Sequence, residues 1–156
     1  MIKNISILFL VVLALLSCGD KKENKEALDL MKYGLPIQIQ APAEAVVKSD
    51  DMGFYKDVTV KKGEDYFVQI LGTSATTTDL ASLKGDQLNE VKKNPYFNKI
   101  IFDEANGFIF EKKIDSLFNY DFRYVKIQGS NEYIFQTGLF GKFSEEAVRE
   151  MYESVK

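Results

Sequence analysis

The sequence predicts an α+β domain in which a mainly antiparallel sheet is packed by two amphipathic helices as a sandwich. Three observations predict this class. Strand-like segments follow one another through short turns, and consecutive hairpins produce antiparallel pairing. Two segments repeat apolar residues at helical spacing, so each needs another element to cover its apolar stripe. The chain of 156 residues is also of a size for one domain rather than two.

Eight strands are predicted from short segments that alternate apolar and polar residues or are apolar between turn residues. Asn106-Gly107 is expected to form the turn of one hairpin, because this dipeptide accepts the positive φ values of a tight primed turn. Leu139 and Phe140 are expected to extend the last strand beyond Gly138. The expected strands are residues 37–41, 45–48, 55–61, 66–71, 99–103, 108–114, 120–127 and 132–137.

Two helices are predicted from capping residues and apolar stripes. The first begins at Thr78 or Asp79 and ends near Asn94, and the second is capped by Ser144. Residues 27–33 are expected to form a further short helical turn. The apolar stripes of the two helices are Leu80, Leu83, Leu88 and Val91 in the first, and Val148, Met151, Tyr152 and Val155 in the second.

The N-terminal segment predicts export and anchoring. Lys3 precedes ten apolar residues at 7–16, which as a helix rise only about 15 Å and are too short to span a bilayer, so they fit a signal peptide. Leu15-Leu16-Ser17-Cys18 resembles the lipobox of bacterial lipoproteins. The resemblance implies a diacylglyceryl group on the Cys18 sulfur and cleavage between Ser17 and Cys18. An ordinary signal peptide with a chance cysteine, or a short buried apolar segment, is the alternative.

The expected organisation is a signal peptide at residues 1–17, a lipidated cysteine with a polar tether at 18–26, and a single domain at 27–156. The tether is almost entirely polar or charged, so it has nothing to bury and should remain solvated. The lipoprotein resemblance implies attachment to a membrane of the cell envelope through acyl chains on Cys18. The expected location is the outer membrane, facing the periplasm or the cell surface.

Composition argues against several chemistries. The chain has no histidine, which removes the usual Ser-His-Asp and Cys-His nucleophile arrangements and His-containing zinc sites. Cys18 is the only cysteine, so its acylation would leave no thiolate for catalysis or for an iron–sulfur cluster. Without residues 1–17 the chain has 19 basic and 23 acidic residues, which argues against nucleic acid as a partner. We expect no catalytic residue, metal or cofactor.

Aromatic residues are the candidate ligand-binding set. Tyr120, Phe122 and Tyr124 alternate on one expected strand, and Tyr133 and Phe135 alternate on its partner. Five rings on one exposed face can stack on sugars or peptide. The alternative is that this face is the core side of the sheet, covered by the C-terminal helix, because aromatic residues dominate buried surface.

The order of elements has a likeness to one known fold. The early segment Ile37-x-Ile39-x-x-Pro42, the long antiparallel sheet and the last strand pair running into a C-terminal helix resemble the PsbP-type α/β/α sandwich. The resemblance implies a binding or assembly accessory without a catalytic motif.

The sequence therefore predicts a membrane-anchored envelope lipoprotein that acts as a non-catalytic binding or assembly module for an envelope protein or a glycan. The alternative is a carboxylate-dependent envelope enzyme such as a glycan hydrolase. Asp115 with Asp121, or Glu111 with Asp115, are the candidate carboxylate pairs for that reaction. A purely structural envelope component is a third option.

Overall fold

A computed structural model describes residues 24–156, so the predicted signal peptide, the cleavage site and Cys18 lie outside the described residues. A 3₁₀ turn, Met31–Tyr33, separates the first two strands. The described elements are β1 (Lys25–Asp29), β2 (Gln38–Pro42), β3 (Val46–Asp51), β4 (Tyr55–Lys62), β5 (Tyr66–Ser74), α1 (Leu80–Lys92), β6 (Phe97–Glu104), β7 (Gly107–Ile114), β8 (Leu117–Gln128), β9 (Asn131–Thr137) and α2 (Glu145–Val155).

Seven strands form one antiparallel sheet in the order β3-β4-β5-β9-β8-β7-β6, and β1 pairs with β2 in a separate antiparallel sheet. The hairpins expected from the sequence supply most of this order, and the pairing of β5 with β9 joins its two halves. The predicted α+β class with a mainly antiparallel sheet is confirmed. In the part of the chain that is described, no helix has the length and apolarity needed to cross a bilayer.

The two helices contribute to different apolar clusters. The predicted stripe of α2 is buried in the main core, whereas Val91 of α1 joins a smaller cluster with Phe108 and Phe110. Ile109, between these two phenylalanines, belongs to the main core. Because successive residues of a strand point to opposite faces, the two clusters lie on opposite sides of β7.

The strands of the large sheet define two ends of the domain. At the cavity end, β4 begins, β5 ends and β9 begins, with Tyr55 opposite Thr73 and Ser74 opposite Asn131. At the tether end, β4 ends, β5 begins and β9 ends, with Val68 opposite Thr137. Asn24, the first described residue, lies at the tether end. Its carbonyl accepts a hydrogen bond of 3.2 Å from the Ala43 amide, which lies between the end of β2 and the start of β3 at this end of the sheet.

Residues 25–29 differ from their prediction, whereas the 3₁₀ turn Met31–Tyr33 falls inside the predicted helical turn at 27–33. β1 occupies residues 25–29, which include the last two residues of the predicted tether and the start of the predicted helical turn. Five residues of β1 pair with β2, so backbone hydrogen bonding to the next strand overrides the weak local preference for a helical turn. Leu30 and Leu35, on either side of the 3₁₀ turn, are buried in the main core and fix the two-stranded sheet against it.

Gly107 is not a turn residue, so the expected primed turn at Asn106-Gly107 is wrong. Glu104 pairs with Gly107, and neither Asn106 nor Gly107 has a positive φ. A β-carbon at Gly107 would overlap the Arg123 carbonyl oxygen and lie 2.6 Å from Tyr152 Oη. Glycine is required here because α2 packs closely on this strand.

Replacing Gly107 by alanine is expected to lower the free energy of unfolding by about 1–3 kcal/mol, because the added methyl group overpacks the contact with Tyr152. Gly85→Ala is the matched control. Gly85 lies inside α1 with no atom within 4 Å of its β-carbon position, so this change is expected to stabilise by about 1 kcal/mol. Urea unfolding of both variants measures the two effects, and effects of equal sign would contradict the packing account.

The last strand ends at Thr137, so Leu139 and Phe140 do not extend it as expected. The chain leaves the sheet at Gly138, whose amide donates to the Phe67 carbonyl at 2.8 Å. Leu139 and Phe140 are 72% and 95% exposed. Two large apolar side chains are therefore presented to solvent at the tether end.

Candidate functional site

The five aromatic residues singled out in the sequence lie on the face of the sheet that carries the main core. Tyr120 is half-buried, and the other four are buried. The ring of Tyr152 from α2 packs edge-on at 5.7 Å from Phe122 and 5.8 Å from Tyr124. The set therefore presents no exposed stacking surface, because α2 and the segment between β1 and β2 occupy that face. Tyr133 also borders a cavity.

This cavity, of about 270 Å³, opens at the cavity end of the sheet and is called the Tyr133 cavity. Its volume lies just below the range typical for drug-sized ligands, so it suits one small group or the end of a larger molecule. The lining residues that matter chemically are Gly34, Phe54, Lys56, Gly72, Asn131 and Tyr133.

Strand register brings the floor of the cavity together. Lys56 is opposite Gly72 on the neighbouring strand, and Gly72 is opposite Tyr133 on the next. A β-carbon at Gly72 would lie 2.7 Å from Leu35 Cδ2 and 3.3 Å from the Tyr133 ring. Glycine at this position therefore leaves the space above β5 to Leu35 and the Tyr133 ring.

The Tyr133 hydroxyl is the unusual group of the site. It is buried, and among the described residues it has no hydrogen-bond partner. Burial raises the pKa of Tyr133, and the nearby Asn131 side chain partly offsets that rise, although no hydrogen bond of good geometry joins the two side chains. The neutral phenol can donate one hydrogen bond and accept others. An unsatisfied buried hydroxyl costs about 1–3 kcal/mol, so a ligand that bonds to it would recover that cost.

Lys56 and Phe54 add a cation and a ring to the site. Lys56 Nζ is held against the backbone at Gly34, where a β-carbon would lie 2.5 Å from it and where φ is +85°. Its ion pair with Asp51, at 3.6 Å, is exposed on both sides, so the pair contributes little to stability. Phe54 is 78% exposed, and the Thr73 hydroxyl donates to its carbonyl at 3.2 Å.

The candidate carboxylates lie elsewhere. Asp121 is buried and accepts hydrogen bonds from the Thr137 hydroxyl at 2.7 Å and from Lys112 Nζ at 3.0 Å. Glu111 accepts one from Asn98 Nδ2 at 2.5 Å. Asp115 occupies the turn between β7 and β8, and roughly 13 Å of extended strand separates residue 117 from Asp121.

The candidate pairs are therefore engaged in structural contacts or set apart along a strand. None of the described residues that line the Tyr133 cavity is an Asp or Glu. Residues 24–156 also contain no group of three or more Asp, Glu, Cys or His side chains placed to hold a metal ion.

Sequence reasoning identified Tyr133 but not the rest of this site. Gly34, Lys56 and Gly72 belong to three segments that only the tertiary fold brings together. The one available signal was Phe54, a large aromatic residue placed directly after the mainly polar segment Ser49-Asp50-Asp51-Met52-Gly53.

The chain was compared with models of protein families, with curated proteins and with solved structures, and none of the three comparisons gave a match. The site therefore has to be interpreted from its own chemistry.

Proposed function

We propose that this chain is a lipid-anchored binding module of the bacterial envelope whose Tyr133 cavity takes an acidic sugar at the end of a glycan. The observation that carries the ligand assignment is the buried Tyr133 hydroxyl, which has no hydrogen-bond partner of good geometry within residues 24–156 and can therefore bond to a guest. The anchor rests on the lipobox resemblance at Cys18. The expected location remains the outer membrane, on its periplasmic or outward face.

The three kinds of group around the cavity match the parts of an acidic sugar. Ring hydroxyls can bond to Tyr133 Oη and to the Asn131 amide, while the apolar face of the ring can stack on exposed Phe54. The sugar carboxylate would replace the exposed Asp51 carboxylate as the ion-pair partner of Lys56. A neutral sugar would leave that last contact unused.

We also propose that the large sheet is the middle layer of a sandwich, with α2 and the small sheet on one face and α1 on the other. The opposite placement of the two apolar clusters across β7 supports this layering. A fold of this kind leaves the strand ends open, and the Tyr133 cavity lies at one of them. That placement supports a binding role, as the PsbP-type resemblance also implies.

Glucuronate and glucose are the simplest pair of probes, because they differ only by the carboxylate. Glucuronate is expected to bind at least about tenfold more tightly, which corresponds to one charge-assisted hydrogen bond with Lys56. Lys56→Met should remove that preference and leave the melting temperature nearly unchanged, because the lysine is partly exposed. Titration calorimetry on the mature chain measures both affinities.

Lys48→Met is the matched control. This substitution changes the net charge by the same amount, on the neighbouring strand β3. Lys48 is exposed and lies opposite Thr59. Thr59 lies between the core residues Val58 and Val60, so it points away from the core. The Lys48 side chain therefore lies on the other face of the sheet from Lys56. Equal loss in both variants, or no preference for glucuronate in the native chain, would contradict the proposed ligand. New reducing ends on a bound glycan would instead favour the glycan hydrolase alternative.

A further inference from the structure

Large apolar side chains are concentrated at the tether end of the domain. Within residues 24–156, ten large apolar side chains are exposed, and seven of them lie at this end. Five of the seven, which we call the apolar tip, belong to the β7–β8 turn region and to the loop between β9 and α2. The members of the apolar tip are Ile114, Leu117, Phe118, Leu139 and Phe140.

Hydrogen bonds hold the two parts of the apolar tip beside each other. Asn119, the residue after Phe118, accepts from the Phe143 amide at 2.8 Å and donates to the Gly141 carbonyl at 3.3 Å. The loop that carries Leu139 and Phe140 is thus fixed to the start of β8. Because this contact is built in, the exposed side chains are presented by a held loop rather than by a free end.

The chain enters the domain at the same end. Asn24 is bonded to the turn between β2 and β3, at the tether end of the sheet. Asn24 follows Cys18 by six positions, and a fully extended backbone over these six steps reaches at most about 20–22 Å. A lipid anchor at Cys18 would therefore keep the tether end near the membrane surface and leave the Tyr133 cavity at the far end.

We propose that the apolar tip inserts into the interface of the same bilayer that holds the acyl chains. This proposal rests on the proposed lipid anchor. Exposed Phe and Leu side chains at loop tips can enter the headgroup region, while neighbouring lysines keep their ammonium groups in water or on lipid phosphates. Lys113 Nζ lies 5.9 Å from the Phe118 ring, and Lys142 is exposed in the same loop as Phe140. Glu64 lies in the same recess as Phe140, so lysines are not the only charges there.

Insertion would fix the orientation of the domain. With one acyl anchor and an inserted tip, the strands stand away from the bilayer and the Tyr133 cavity faces outward. A tether without the tip would leave the domain free to rotate, so the cavity would spend part of its time against the headgroups.

Tryptophan substitution tests the proposal directly, because the native chain contains no tryptophan. The acylated mature chain with Phe140→Trp is reconstituted in vesicles of phosphatidylethanolamine and phosphatidylglycerol whose acyl chains carry bromine. The expected result is a blue-shifted emission and loss of most of the fluorescence to bromine quenching. Phe54→Trp is the control, since Phe54 is similarly exposed but lies at the cavity end, and it should not be quenched. An unquenched Phe140→Trp chain would overturn the proposal.

A second measurement separates the tip from the anchor. The mass of the mature chain shows first whether Cys18 carries acyl groups, and an unmodified Cys18 contradicts the anchor alone. The unacylated mature chain is then added to the same vesicles, where Leu139→Ser with Phe140→Ser should lower partitioning about tenfold or more. Equal partitioning of the native chain and this variant would overturn the tip proposal. This is also the result expected if the apolar tip binds a protein instead of the bilayer.

Discussion

Replacing Cys18 by alanine is expected to abolish incorporation of labelled palmitate into the chain. The reason is chemical, because alanine has no sulfur on which a thioether to diacylglycerol can form, and the chain has no other cysteine. Cells grown with the labelled fatty acid, followed by isolation of the protein and counting of its label, give a nearly all-or-none result. The lipobox resemblance also implies that cleavage before residue 18 would be lost, so the variant should retain residues 1–17.

Ser17→Ala is the control for this experiment. A small residue before the cysteine is part of the lipobox pattern, and alanine satisfies it as serine does, so labelling should continue. Label that persists in the Cys18→Ala chain would place the acyl group elsewhere. An unlabelled native chain would return the N-terminal segment to the ordinary signal peptide that the sequence also allows.

Replacing Val148 by aspartate is expected to lower the free energy of unfolding by several kcal/mol. Val148 is fully buried in the main core, where a carboxylate would lose its hydration without gaining a partner. For a domain whose total stability is about 5–15 kcal/mol, a loss of this size removes a large share of it. The melting temperature, followed by circular dichroism, should fall by about 10 °C or more.

Ala147→Asp introduces the same charge one residue earlier and serves as the comparison. Ala147 is only half-buried, and it lies in the first turn of α2, where a negative charge is favoured by the helix dipole. Its effect should remain within about 1 kcal/mol. If the two variants lost comparable free energy of unfolding, burial of Val148 would not be what docks α2 on the sheet.

The spacing of apolar residues predicted those elements in which the apolar residues of the pattern are also the buried ones. The stripe of α2 is the clearest case, since all four of its predicted apolar residues are buried. The stripe of α1 was less complete. Leu83 and Val91 are buried, but Gln87 is also buried, and no apolar pattern indicates a polar residue at such a position. Burial of a polar side chain depends on partners and neighbours that lie far away in the sequence.

Two of the departures, and the Tyr133 cavity itself, depend on contacts between separate segments of the chain. Residues 25–29 became a strand because β2 was available to pair with them. Gly107 was interpreted as a turn residue, although its lack of a side chain serves the contact with Tyr152, 45 residues later. The Tyr133 cavity depends on strand register in the same way. Lys56, Gly72 and Tyr133 are neighbours across three strands, and alternation within a single strand predicts neither their partners nor their offset.

The antiparallel pairing of β1 with β2 has a mechanical consequence for a chain held at one end. If the anchor is pulled from the membrane side while a ligand is held at the cavity end, the load enters at Lys25 and runs lengthwise along β1. The hydrogen bonds of an antiparallel pair stand perpendicular to the strands. All five paired positions of β1 therefore resist the force together instead of opening one after another. This first strand, which the sequence pattern assigned to a loose tether and a helical turn, is the part of the domain that would resist being torn away.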